Sequence, residues 1–131
     1  MRVSGDNALS LAQKLSQKTE LIPRQATLCF LHDTSNQPID QAIVLYFKGP
    51  HSFTAEDVVE FQCHGGFVVA QLVLETLISY GVRLANPGEF SKRAFLNGRI
   101  DLSEAEAIAA LIETKSIDAA KMLTRQLKGE L

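Results

Sequence analysis

Residues 58–85 read VVEFQCHGGFVVAQLVLETLISYGVRLA. The first six alternate: Val59, Phe61 and Cys63 fall on one face of an extended segment, and Val58, Glu60 and Gln62 on the other. Gly65 and Gly66 stop that strand. Residues 67–80 then place Phe67, Val68, Leu72, Leu74, Leu77 and Ile78 on a broad helical face, with Gly81 as a C-terminal stop. Val82 to Ala85 reads as a further short strand. Strand, helix and strand in so short a span predict a βαβ-type unit, right-handed if its strands are parallel.

Upstream, residues 42–47 are apolar in both alternating sets, so this strand wants cover on both faces. A run from Ala26 to His32 precedes it across the turn-rich segment Asp33 to Asp40, predicting a hairpin. Gly49 and Pro50 break the second run before the loop HSFTAED. Nearer the start, Ala8, Leu11, Ala12 and Leu15 form the stripe of a helix that Asp6 or Asn7 caps and that ends near Lys18.

Downstream, Asn86 and Pro87 open a short helix through Phe90, Ala94 and Phe95, ended by Asn97 and Gly98. Ser103 and Glu106 form an SxxE capping box for a helix with Ile108, Leu111 and Ile112 inside. Ile117, Ala120, Leu123 and Leu127 carry an apolar stripe onward, which predicts a longer helical region. The expected architecture is a two-layer α/β (α+β) domain over residues 1–114, with a small mixed sheet of about four strands and helices packed on it. Residues 115–131 begin an all-helical region.

The 131 residues are 46% hydrophobic and 21% charged, with a formal net charge of −2. That balance excludes a disordered tail and disfavours bulk electrostatic binding of nucleic acid. The basic groups Lys92, Arg93 and Arg99, and Lys115, Lys121, Arg125 and Lys128, read as solvated faces rather than a nucleic-acid surface. No apolar stretch approaches the roughly 20 residues of a spanning helix. MRVSGDNALS lacks the unbroken apolar segment of a secretion signal, and two cysteines without a framework point to a reducing cytoplasm.

Cys63 and His64 are neighbours on an extended segment and therefore diverge, as do Cys29 and His32, so a thiol–imidazole pair or a metal site is disfavoured. His64, Gly65 and Gly66 lie between strand and helix, where backbone N–H groups favour an anion, but no GxxxxGK loop accompanies them. Glu60 stands mid-strand where a core or a pocket is expected. An unpaired buried carboxylate is prohibitive, so Glu60 faces solvent, pairs with a base, or is reserved for a ligand. On residues alone the three stand open.

Three ordered strings go further: RVSG at Arg2 to Gly5, GPHSFTAEDVVEFQCHGG at residues 49–66, and NPGEFSKRAFLNGRIDLSEAEAIAALI at residues 86–112. Together they resemble the N-terminal domain of the tRNA uridine modification GTPases of the MnmE/TrmE family, over nearly the whole chain. The resemblance implies a homodimerising α/β module that binds 5-formyl-tetrahydrofolate or a related tetrahydrofolate, with a fold similar to the folate domains of aminomethyltransferases. It implies a longer protein with a helical domain and an inserted GTPase. With an FAD-containing partner, MnmG, that protein places an aminomethyl-type group on C5 of the wobble uridine of tRNA in the cytoplasm. Without the GTPase segment and the family's C-terminal cysteine motif, these residues alone should neither hydrolyse GTP nor modify tRNA.

By the same resemblance, the folate contacts fall on Arg2, Glu60 and Arg99, with no metal and no nucleotide. A carboxylate matches the adjacent N–H donors of a pterin edge and an arginine fork matches the carboxylates of a folate tail, which assigns Glu60 to the pterin and Arg2 or Arg99 to the tail or the one-carbon group. Family members carry a glycine-rich segment and strand ahead of RVSG. Its absence here predicts an open sheet edge and an Arg2 on a fraying terminus. Two other readings compete: a ligand-free self-association module and a thiol enzyme using Cys63.

Overall fold

The structure is a computed structural model, and it describes residues 1–127. Four strands and four helices follow in the order β1 (Arg2–Ser4), α1 (Ala8–Ser16), β2 (Thr27–His32), β3 (Pro38–Phe47), β4 (Val58–Cys63), α2 (Gly66–Ser79), α3 (Glu89–Leu96) and α4 (Leu102–Leu127). The chain divides into two compact units, Met1–Leu84 and a second that begins at Ala85. Thr114, where the sequence places a change of character, lies within α4.

The first unit holds the sheet. Its strand order is β1-β4-β3-β2 and every pairing is antiparallel. The α/β class and the four strands are those expected, but the fourth strand is not the segment after α2. It is Arg2–Ser4, in register with β4 as Arg2↔Glu60, Val3↔Val59 and Ser4↔Val58. The backbone hydrogen bonds of the 82–85 segment explain the difference. Gly81, at φ +96°, donates its N–H to Ile78 and Val82 donates to Leu77, a Schellman closure in which the Val82 amide ends the helix instead of entering a ladder. Without a parallel strand there is no βαβ unit and the sheet is not mixed. Arg2 itself lies in β1, and the residues on either side of it are tied, Met1 exchanging backbone hydrogen bonds with Phe61 and Val3 pairing with Val59.

Helices α1 and α2 pack on one face of this sheet. From α1 come Ala8, Leu11, Ala12 and Leu15, the stripe read from the sequence, and the helix ends at Gln17 in a left-handed conformation. From α2 come Val73, Thr76 and Leu77, with Val69 and Tyr80 half-buried beside them. The expected face of α2 is thus rotated: Phe67, Val68, Leu72 and Ile78 are exposed. A helix apolar almost all round leaves periodicity little to choose between. Leu31, Val44, Val59 and Phe61 complete the core from the strands. Each fully buried side chain of this size contributes about 1.5–3 kcal/mol.

The opposite face of the sheet is also apolar. Leu28 and Phe30 on β2 are more than half exposed, and Ile43, Leu45 and Phe47 on β3 are half-buried. This is the second alternating set of residues 42–47, the set that asks for cover.

In the second unit, α3 starts after Gly88 (φ +78°) rather than on an Asn86 side-chain cap, while Glu89 Oε1 accepts from the Asn86 N–H at 3.0 Å. Asn97 closes α3 as expected. The capping box of α4 lies two residues earlier than the sequence suggests: Asp101 Oδ1 accepts from the Glu104 N–H at 2.8 Å, and Glu104 Oε1 faces the Asp101 N–H at 3.4 Å. Ile108 and Ile112 are half-buried, but Leu111 and Ile117 are exposed. The side chains of Ala120, Lys121, Leu123, Arg125 and Leu127, and Lys128 altogether, lie outside the described residues.

Candidate functional site

The register of β1 against β4 puts Arg2 directly opposite Glu60, with Leu45 opposite Glu60 on the other side. All three sit on the open face. Arg2 Nε lies 3.7 Å from Glu60 Oε1, an ion pair too long for a hydrogen bond, and the two side chains are 48% and 28% exposed. An opposed charge pair of this exposure contributes at the low end of about 0.2–1 kcal/mol. Arg2 is the one side-chain partner of Glu60 among the described residues, so the carboxylate keeps acceptor positions for another donor. Of the three fates open to Glu60, the structure realises a loose pairing with a base at the border of an apolar surface.

The loop at residues 49–57 shapes one side of this site. Ser52 and Thr54 are buried while Phe53 between them is exposed. The Ser52 hydroxyl donates to the Glu56 carbonyl, Ser4 Oγ and Thr54 Oγ1 share a hydrogen bond of 2.7 Å, Ser4 donates to Glu56 Oε1 at 3.0 Å, and the Gly49 N–H donates to Asp57 Oδ1 at 2.8 Å. A side chain at Gly49 would place Cβ 2.7 Å from the Ala55 carbonyl, so only glycine permits this closure. The Phe53 ring thereby comes to rest with the Arg2 guanidinium carbon 5.5 Å from its centroid. Strand alternation could not find Phe53, Ser4 and Thr54. The one sequence signal was an aromatic residue inside an otherwise polar loop.

Arg99 belongs to the second unit. It is exposed, follows the left-handed Gly98, and donates its backbone N–H to Ala94 at 2.8 Å. Arg2 and Glu60 are therefore brought together within one sheet, and Arg99 is carried by the turn after α3.

The candidate anion cradle at His64 to Gly66 is filled by the protein itself. Asp40 Oδ2 accepts from the His64 N–H at 2.7 Å and the Gly65 N–H at 3.1 Å. The His64 hydrogen bond, with that of Gly65, holds the Asp40 carboxyl below the usual carboxylate range. The His64 ring is tied to the Gln41 carbonyl at 2.8 Å. Burial pushes the Cys63 thiol up, and the Asp40 carboxylate pushes it further. Burial does the same to Cys29. Lys18 near Cys29 and the chain's N-terminal amine near Cys63 pull the other way, but burial outweighs them, so neither thiol is activated as a nucleophile. Cys29 and Cys63 flank Ala42 from two different strands, about 10 Å apart at strand spacing, which is beyond disulfide reach. No group of three metal-ligating side chains is present among the described residues.

A two-layer α/β domain with helices on one sheet face, and an acid–base pair at the border of an apolar second face, is the class this geometry defines. The chain belongs to the TrmE N-terminal family: residues 1–99 match the family described as GTP-binding protein TrmE N-terminus. It is 65% identical over 130 residues to the tRNA modification GTPase MnmE of a Nitratiruptor species, covering 99% of this chain and 29% of that protein. The MnmE of a Sulfurovum species is 63% identical over 131 residues, covering 100% and 29%. That of Legionella pneumophila is 53% identical over 130 residues, covering 99% and 29%. The chain thus spans about three tenths of the length of these relatives.

Proposed function

We propose that this domain binds a tetrahydrofolate, of the 5-formyl-tetrahydrofolate type, and self-associates as a homodimer within a GTPase that modifies C5 of the wobble uridine in tRNA. The observation that carries the folate reading is Glu60: a half-buried carboxylate with spare acceptor positions, bordered by Leu45 and by a single loosely paired arginine. The donor set fits the group. A pterin presents adjacent N–H donors and a flat apolar face, which a carboxylate beside an aliphatic sheet surface accommodates. Glu60 would hold the pterin edge, and Arg2 or Arg99 the anionic end or the one-carbon substituent. When bound, the tetrahydrofolate supplies a one-carbon unit. The chain's own residues bind and orient it.

Self-association rests on the second sheet face, where Leu28, Phe30, Ile43, Leu45 and Phe47 form an apolar surface on one unit. The relatives' names bring tRNA into this reading, and the sequence resemblance adds the FAD-containing MnmG partner and the cytoplasm. Among the described residues no helix is long and apolar enough to cross a membrane. A ligand-free self-association module is the second reading, favoured by the same apolar face and by the Arg2 charge already opposite Glu60. Equilibrium dialysis with 5-formyl-tetrahydrofolate separates the two: saturable binding that weakens in Glu60→Gln or Arg99→Ala supports the folate site, and no saturable binding leaves the second reading.

A further inference from the structure

Phe53 is an aromatic side chain held out of the core while both its neighbours are driven in. Thr54 is fully buried and Ser52 nearly so, and the hydroxyls of both are hydrogen-bonded. Ala55 adopts φ +65°, a conformation uncommon for a residue with a side chain, in the turn that carries the loop back to β4. A loop fastened in this way fixes the place of its one large apolar group, which keeps 36% of its surface exposed. What the ring meets is a charge: the Arg2 guanidinium carbon lies 5.5 Å from its centroid, within cation–π range.

The geometry around Arg2 gives this contact a task. Glu60 alone does not fix the guanidinium, because the Nε to Oε1 distance of 3.7 Å leaves no hydrogen bond. The arginine stem is free to rotate about several bonds and is half exposed. Phe53 limits that freedom from one side and Glu60 from the other. Ser4, two residues on from Arg2 along β1 and on the same face, is hydrogen-bonded to Thr54 and Glu56, so the strand bearing Arg2 is tied directly to the loop bearing Phe53.

We propose that Phe53 is a positioning residue for ligand binding, holding the Arg2 guanidinium flat against its ring so that Arg2 and Glu60 meet a planar, anion-bearing heteroaromatic ligand as one preformed unit. This deepens the folate reading and rests on it for the identity of the ligand. A guanidinium already ordered loses less freedom when it forks onto an anion, and that saving appears as affinity.

The test is a double-mutant cycle read by titration calorimetry with 5-formyl-tetrahydrofolate, using the full chain, Phe53→Leu, Phe53→Tyr, Arg2→Ala and the Arg2→Ala/Phe53→Leu pair. Phe53→Leu should weaken binding roughly 2- to 30-fold, the range that a cation–π contact spans, and Phe53→Tyr should restore it. In the Arg2→Ala background Phe53→Leu should have no further effect. A Phe53→Leu variant that binds like the wild type, or that loses the same factor without Arg2, overturns the proposal. A second arm needs no ligand: the NMR side-chain resonances of Arg2 in the free protein should move on Phe53→Leu as the ring current is removed, and unmoved resonances overturn it equally. Wild-type protein that binds no folate while the Arg2 resonances do move overturns the folate reading alone.

Discussion

At the residue scale, the acids on this sheet and its β3–β4 loop have three different fates. Glu60 keeps acceptor positions, Glu56 is bound to Ser4, and Asp40 is consumed as the cap of the α2 turn. Asp40 carries a pH prediction. Its carboxyl titrates lower in the folded chain than the usual value near 3.9, so its stabilisation is complete above that value and is lost as pH falls through the lower folded one. Thermal melts of wild type and Asp40→Asn should therefore differ most near neutral pH and converge in acid; a constant gap across pH would show that the hydrogen bonds do not favour the charged form. Cys63 supports a second expectation. With its thiol pushed up by burial and by Asp40, it should alkylate more slowly than free cysteine at pH 8, and Cys63→Ala should retain ligand binding. Rapid alkylation would revive the thiol reading. Phe53 escaped the sequence because its meaning depends on a loop closing onto β1, 50 residues away in the chain at the Ser4–Thr54 contact.

At the scale of elements, β4 was legible to the residue and α1 nearly so, since alternation and a clean i, i+3, i+4, i+7 stripe leave one solution each. Segment 82–85 was misread because a short apolar alternation looks alike whether it enters a sheet or closes a helix. The first strand was missed because three residues, Arg2–Ser4, carry no periodicity of their own and become a strand only through β4. Helix α2 gives a sharp contrast to measure. Leu77→Ala, in the core, should lose about 2–5 kcal/mol in urea unfolding. Leu72→Gln, on the exposed side, should stay within about 0.5 kcal/mol. Equal losses would mean the outer face of α2 is covered in solution. For α4, Asp101→Ala should lose about 1 kcal/mol while Ser103→Ala loses almost nothing, because Asp101 makes the cap. The reverse ranking would restore the box read from Ser103 and Glu106.

At the scale of the molecule, the family was legible in three ordered strings and the α/β class in the alternation of elements. Pairing Arg2 with Glu60 required the antiparallel register, which local patterns do not encode. The open apolar sheet face is the basis of the proposed self-association: sedimentation should show a dimer for wild type, and Phe30→Lys should shift it toward monomer, whereas a monomer at high concentration would remove that part of the reading. The central claim is that Glu60 receives a pterin. A crystal grown with 5-formyl-tetrahydrofolate tests it most directly: the account predicts the pterin edge within hydrogen-bond distance of the Glu60 carboxylate, and a ligand seated elsewhere, with Glu60 facing only Arg2 and solvent, would contradict it.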